Sequence, residues 1–397
     1  MNKVKVKIVI GSNYGDECKG LATHYFSQCR DSGTRCLNVL FNGGSQRGHT
    51  VELKNGYRHI FHHFGSGTLS NADTYFDQNF ILNPIVFVTE FEELYNKGFN
   101  PHCFVSPMCR ISTPYDAFIN QIVELSRGRY RHGSCGCGIW ETTQRYLYYS
   151  QKPMYFKDYI MMTDAEIYDS LHEIAHSYLP RVLLTYGIKK IPLCYKELID
   201  SDGLIKHFIQ DIRTMQAITK LYNFEKLKNK YDYIIFEGAQ GLELDENNII
   251  AYPHVTASET TSRVPLQRIK NMNCDTEICY ITRSYFTRHG AGAFPTECDK
   301  NVINPNIIDE TNSYNDYQQI IRYGLFNKNE FKNRIIKDMS NANLLDDVKF
   351  SVFISHLNYT NGDLAGDCTI KDISSLFNKI YLSDTKFAED VKEVFPL

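Results

Sequence analysis

"GSNYGDECKG", residues 11–20, follows directly on the alternating run "KVKIVI" at 5–10. An apolar strand opening into a glycine-bearing turn and then a helix is the layout of a phosphate-binding loop, whose backbone N–H groups cradle an anion. A Walker loop reads G-x-x-x-x-G-K-[ST], with the hydroxyl binding Mg²⁺. Here Lys19 is followed by Gly20, and an acid, Asp16, stands inside the loop. A carboxylate placed against a triphosphate calls for a chemical purpose.

Outward from this stretch, the pattern predicts a strand over 4–10, an amphipathic helix over 18–32 ending at Gly33, and a second strand over 35–41. Helices are expected over 165–187 and 203–230, and strands at "YDYIIF", "EICYIT", "KFSVFIS" and "KIYLS". This alternation argues for an α/β fold, a mostly parallel central sheet flanked by helices, with ligands at the carboxyl ends of the strands. Residues 299–345, rich in Asn and Asp, read as an irregular excursion from the core. No repeat or linker divides the chain, so residues 1–397 are taken as one domain with a divergent final third, about 299–397.

Charge and composition narrow the partners. With 43 basic and 46 acidic residues the formal net charge is −3, which gives no global basic field for nucleic acid or anionic membrane. Small-molecule chemistry fits better. No apolar run is long enough for a membrane span, and the expected location is the cytoplasm. The 12 cysteines lack paired C-x₂-C spacing and read as reduced thiols; the C-x-C of Cys135 and Cys137 beside His132 reads as a Gly-rich loop rather than a metal site.

Four further segments repeat the device of a strand opening into small and polar residues: "FNGGSQRGHT" (41–50), "FEGAQG" (236–241), "YPHVTASETT" (252–261) and "TRHGAGAFPTE" (287–297). His49, between Gly48 and Thr50 at a strand terminus, has a backbone free to approach a ligand. Singly, such turns are common. In this order they resemble the adenylosuccinate synthetase family. "GDECKG" is similar to that family's GDEGKG loop and "RGHTV" to its AGHT segment, while "GSGTL" (65–69), "ILNP" (81–84), "FEGAQG", "YPHVT" and "TRHGAGAFPTE" match further signatures. The match spans roughly 4–297 and is faint in the C-terminal third.

The resemblance implies a P-loop-related ligase of purine biosynthesis that joins L-aspartate to C6 of IMP through a 6-phosphoryl intermediate, with GTP hydrolysis, Mg²⁺ and a homodimer. It implies Asp16 as base for N1 and as a Mg²⁺ ligand with Gly48, and Lys19 and His49 as stabilisers of the phosphoryl group. Gly15, Gly20, Gly48 and Thr50 would bind the triphosphate. Asn42, Gln240, Thr256, Ser134 and Arg145 would bind the acceptor, Arg145 across a dimer interface.

Two departures bear on substrates. Where the family reads guanine with the Asp of T-K-L-D, this chain has "SHLN" (355–358); Asn358 and Ser383 are candidate nucleotide-binding residues, and the Asn358 amide suits adenine. ATP or dATP is therefore a candidate donor. The family's arginine-rich aspartate loop is reduced to Arg322, with Arg288 or Arg263 contributing. Both features resemble the phage branch that attaches aspartate to dGMP, although that branch usually carries serine where Asp16 stands. Two other classes, a nucleoside triphosphatase and an inactive nucleotide-binding paralogue, sit poorly with retention of "FEGAQG", "YPHVT", Asp16 and His49.

Overall fold

The computed structural model describes residues 3–149, 154–312 and 314–396. Val4–Gly11 (β1) occupies the middle of the main sheet because Val6, Ile8, Val9 and Ile10 are buried, as both faces of a central parallel strand require. Lys7 interrupts the apolar run and is neutralised by Glu277 on the adjacent strand, 2.6 Å away.

Among the described residues that sheet has ten strands. From edge to edge they are Lys392–Val394, Lys379–Leu382, Lys349–Ser355, Cys274–Arg283, β1, Tyr233–Gly241, Cys36–Leu40 (β2), Asp73–Phe76, Cys103–Val105 and Thr219–Leu221. Every pairing is parallel except that of Lys392–Val394 with Lys379–Leu382. The expected α/β architecture is the one observed.

One insertion in the strand order positions the site. β1 leads through Lys19–Gln28 (α1) to β2, yet Tyr233–Gly241 lies between the two strands. Three glycine-bearing turns therefore leave adjacent carboxyl ends, at the kind of order switch where α/β sheets bind ligands. Opposite Gly11 the strand Tyr233–Gly241 bulges, and Gln240 takes a left-handed conformation (φ 64°). A bulge of this kind re-aims a side chain at a strand end.

Several predicted elements are shorter than expected. α1 stops at Gln28, whereas the expected helix 165–187 is observed as a continuous helical run, Asp164–Glu173 and Leu179–Thr185 joined through a π-helical segment at Ile174–Tyr178. The expected helix 203–230 ends at Ile218, because Thr219–Leu221 extends to pair with Cys103–Val105 at the sheet edge. That tertiary pairing overrides the local helical pattern. The 299–345 excursion is also more ordered than its composition suggests. It contains a strand, Arg322–Gly324, and a helix, Lys328–Met339, whose Phe331 and Ile335 are buried in the core. Among the described residues no helix is long and apolar enough to cross a membrane.

The hairpin His49–Glu52 (β3) and Arg58–Phe61 (β4) rests on the start of α1 at Gly20. A Cβ on Gly20 would stand 2.8 Å from the Thr50 carbonyl oxygen and 3.0 Å from the His49 carbonyl carbon. Glycine is needed there for close approach. Gly20→Ala is expected to lower stability by about 1–3 kcal/mol through forced separation of α1 from β3. Unchanged chemical denaturation of this variant would contradict that packing.

Candidate active site

The loop after β1 is built around its own charges. The buried Glu17 carboxylate accepts the Asn13 N–H at 2.6 Å and lies 3.3 Å from the Lys19 ammonium, which also donates to the Gly15 carbonyl at 2.5 Å. Gly15 (φ 112°) lets the loop pass against Gln240, where a Cβ would meet the Gln240 amide oxygen at 3.1 Å. Lys19 is thus part of the loop's scaffold, 1% exposed, with its backbone at the head of α1.

Asp16 projects into a cavity of about 350 Å³ lined by Gly15, Gly48, His49, Ser134, Gln240, Thr256 and Arg288, among others. Its Oδ2 forms an ion pair with His289 Nε2 at 2.9 Å, and its backbone carbonyl accepts from Arg283 Nε at 2.6 Å and from Thr287 Oγ1 at 3.1 Å. Burial opposes ionisation of Asp16, but His289, Arg283 and Lys19 outweigh it and hold the carboxyl well below the usual range. His289 is raised in turn, the Asp16 carboxylate overcoming the effect of burial. Asp16 stays ionised in this buried loop because His289, Arg283 and Lys19 stand close enough to offset burial.

His49 is fixed from the opposite side. Its Nδ1 lies 2.5 Å from Glu237, whose carboxylate also takes Arg47 Nη2 at 3.2 Å, Ser66 Oγ at 2.5 Å and the Ser66 N–H at 2.9 Å. Burial favours a neutral Glu237, yet Arg47, His49 and Ser66 hold it down at about 2. Burial and the neighbouring Arg47 lower His49 to about 4, so the imidazole is neutral at pH 7. With Nδ1–H donated to Glu237, Nε2 has no protein partner among the described residues and carries the lone pair.

Several expected residues therefore meet in one cavity, and others do not. Asn42 is corrected: its amide is consumed by Ala239 N–H (2.8 Å), the Ala239 carbonyl (3.1 Å) and the Glu259 carbonyl (2.9 Å), which tie β2 to the neighbouring strand. Gln46, four residues on, lines the cavity with both amide atoms buried and unpartnered. Arg145 is likewise corrected. It is 4% exposed and held bidentately by Asp116 at 2.8 Å, with a further 2.8 Å bond to the Ile111 carbonyl, so it reaches no surface. Arg322 is spent on Glu297 and the carbonyls of Gly290 and Gly292, and Arg263 on Glu259. Arg288 stands in the cavity wall, its Nη1 donating to the Ala293 carbonyl at 3.0 Å and Nη2 to the His254 carbonyl at 3.4 Å, with Nε unpartnered and the guanidinium 4.6 Å over the Tyr14 ring.

Thr50 pairs with Thr311 at 3.2 Å, on a turn that Asp309 organises through the N–H groups of Thr311 and Asn312. Arg283 binds Asp309 at 3.1 Å, which draws the 299–345 excursion to the site. Asn358 is exposed just past Lys349–Ser355, and the Leu357 N–H bonds the Ser383 carbonyl at 3.2 Å, so the two stand on neighbouring strand ends outside the main cavity. His289, Gln46, Arg47 and Glu237 were not singled out from the sequence. Each lay inside a quoted segment, and that was the only signal available.

For a metal, the fitting atoms are oxygens: the Asp16 carboxylate, whose Oδ2 also pairs with His289 at 2.9 Å, and the exposed backbone of Gly48 in the same cavity. Among the described residues no group of three or more His, Cys, Asp or Glu could hold an ion alone. This suits a hard cation such as Mg²⁺ that completes its shell with water and phosphate oxygens.

Glu237→Ala would leave Arg47 buried without its anion, an expected loss of about 3–5 kcal/mol seen as a fall in the denaturation midpoint. In the native protein the depressed Glu237 carboxyl contributes stability above its ordinary value of 4.5, and that contribution is lost as pH falls through about 2. A Glu237→Gln variant with undiminished acid sensitivity over that window would contradict the assignment.

Comparison with known proteins bears on the whole arrangement. The chain is similar to the adenylosuccinate synthetase of Mesoplasma florum, 29% identical over 309 residues, covering 75% of this chain and 66% of that one. To the enzyme of Desulfatibacillum aliphaticivorans it is 28% identical over 305 residues, with the same coverage of 75% and 66%. The match thus spans slightly less than two thirds of these relatives' length. Among solved structures it shares its fold with fully ligated adenylosuccinate synthetase from Plasmodium falciparum, at 17% identity and a TM-score of 0.64 over 99% of this chain and 87% of that one. It shares it also with cyanophage S-2L succinoaminodeoxyadenylate synthetase bound to dGMP and dATP, at 13% identity and 0.63 over 98% and 95%. With the family model named Adenylosuccinate synthetase matching residues 8–318, the chain belongs to the adenylosuccinate synthetase family.

Proposed function

We propose that the protein is a C–N ligase that joins L-aspartate to C6 of a 6-oxopurine nucleotide, IMP in the first place, at the expense of a nucleoside triphosphate. The observation that carries this reading is the convergence of Asp16 and His49 with Gln240 and Thr256 on one cavity. A triphosphatase would need only the first loop.

The oxo group at C6 is a poor leaving group, so it must first be phosphorylated. Asp16, ionised by its cationic surroundings, takes the N1 proton and makes O6 nucleophilic. Mg²⁺, held by Asp16 and the Gly48 carbonyl, would neutralise charge on the phosphate oxygens. The N–H groups of the loop donate to the moving phosphoryl group, and Lys19, held behind them by Glu17 and the Gly15 carbonyl, shapes the loop that presents them. Its arrival beside His49 favours uptake of a proton from solvent at Nε2, and Glu237 balances the imidazolium through Nδ1. Nε2–H then donates to O6 and the phosphoryl oxygens. The aspartate amine displaces phosphate at C6, and Arg288 is the cation left to receive a substrate carboxylate. The homodimer, and a single functional unit across the chain, belong to the same proposal.

A second reading, the same chemistry on dGMP with ATP or dATP as donor, draws on Asn358 and Ser383 and on the likeness to the cyanophage enzyme bound to dGMP and dATP. Asn358 matches the edge of adenine, and a two-bond contact discriminates by roughly 1–3 kcal/mol, by analogy with base readout.

The test is to incubate the protein with Mg²⁺, aspartate and each of GTP, ATP and dATP against IMP, GMP and dGMP, and to weigh the products. A succinylated nucleotide is expected only with aspartate present; none from any acceptor would defeat the ligase reading, and product from dGMP alone would select the second. Asp16→Asn is expected to cut turnover by at least about 10²–10⁴-fold. His49→Ala should lower kcat more than it raises KM, because its contact strengthens in the transition state. A purely KM effect would refute that role.

A further inference from the structure

The helix Ile139–Tyr148 begins in the cavity wall, and its first turn carries Glu141. The residue is 8% exposed. Oε1 accepts from Asn120 Nδ2 at 3.0 Å, whereas Oε2 is buried and has no partner. Asn120 is bonded in turn to Ser134 Oγ, at 2.9 and 3.1 Å. Among the described residues no cation pairs with this carboxyl: Arg145, on the same helix, is saturated by Asp116. Burial, with Asp116 and Cys135 adding to it, pushes Glu141 up to about 8.

A protonated carboxyl has an O–H to donate. The unpaired N–H groups of a first helical turn attract anions, and an ionised Glu141 would compete for that place, whereas a neutral one adds a donor. We propose that Glu141 is an acceptor-binding residue, which donates a hydrogen bond from its protonated carboxyl to the phosphate of the nucleoside monophosphate, beside Ser134 and the N–H groups of this helix terminus. This rests on reading the cavity as a nucleotide site.

The groups facing Glu141 are Asp116 with its partner Arg145, Cys135, Tyr178 and Tyr186, with Cys137, His132 and His254 nearby in the same region. Burial raises both tyrosines, and burial lowers both histidines, so neither pair changes charge between pH 7 and 9. Hydrogen bonding from Cys137 lowers Cys135, which makes that thiol the rival titrating group. A phosphate monoester has its second ionisation near pH 6 and stays dianionic above it.

The test measures IMP and dGMP binding by titration calorimetry from about pH 6.5 to 9.5, without aspartate or triphosphate. Wild-type affinity is expected to fall by up to about tenfold per pH unit above about 8, with uptake of about three quarters of a proton per nucleotide at about pH 8.5, rising towards one by about pH 9.5. Glu141→Gln, which keeps a neutral donor, should match wild type at pH 7 and lose the dependence; Glu141→Ala should bind more weakly throughout. Persistence of the wild-type profile in Glu141→Gln, its loss in Cys135→Ser, or binding without proton uptake by the wild type would each overturn the proposal. Wild-type protein that binds no monophosphate at any pH would defeat the nucleotide-site reading with it, whereas pH-independent binding would defeat only the role of Glu141.

Discussion

The Glu237 carboxylate, with no exposure to solvent, is where the site is tied to the sheet. An isolated buried anion is costly, and this one is tolerated because Arg47, His49 and Ser66 converge on it. Those three come from the segment after β2, from β3, and from the turn Ser66–Ser70. One charge requirement therefore draws together pieces of chain that share no regular strand pairing. It also selects the histidine tautomer, since the carboxylate takes Nδ1–H and leaves Nε2 for a ligand.

Asp16 answers the same electrostatic demand in reverse. There the anion belongs to the cavity, His289 stands beside it in the wall, and the charges of Arg283 and Lys19 act on it from behind the wall. Arg283 is anchored by Asp309, and Asp309 orders the turn that meets Thr50. The excursion after residue 299 thus supports the site with charge as well as with the core packing of Phe331 and Ile335. The arginines near the site are engaged by carboxylates or carbonyls, and among the described residues Arg288 and Arg47 are those that also keep buried N–H groups without a partner. A cavity with few free cations binds anions chiefly through neutral donors and helix termini, and a protonated glutamate in its wall is consistent with that economy of charge.

The strand, turn and helix around Asp16, the parallel sheet, and the segments bearing His49, Gln240 and Thr256 were legible in the sequence. They depend on apolar periodicity and on glycine at turns, which are properties of neighbouring residues. Element ends were less legible. Thr219–Leu221 leaves a helical pattern because a distant strand, Cys103–Val105, offers it backbone partners.

The sequence by itself determined which chemical groups were available: an acid and a lysine in one glycine-bearing loop, a histidine at a strand end, amides and hydroxyls in three further loops. Only the tertiary structure decided which of them were free. Asn42, Arg145 and Arg322 have the right chemistry but are consumed by backbone groups and carboxylates from elsewhere in the chain, while Gln46, His289 and Glu141 are left facing the cavity. The physical reason is that a polar side chain serves a ligand only if no protein group has already satisfied it, and the satisfying group here comes from remote segments that local pattern does not reveal.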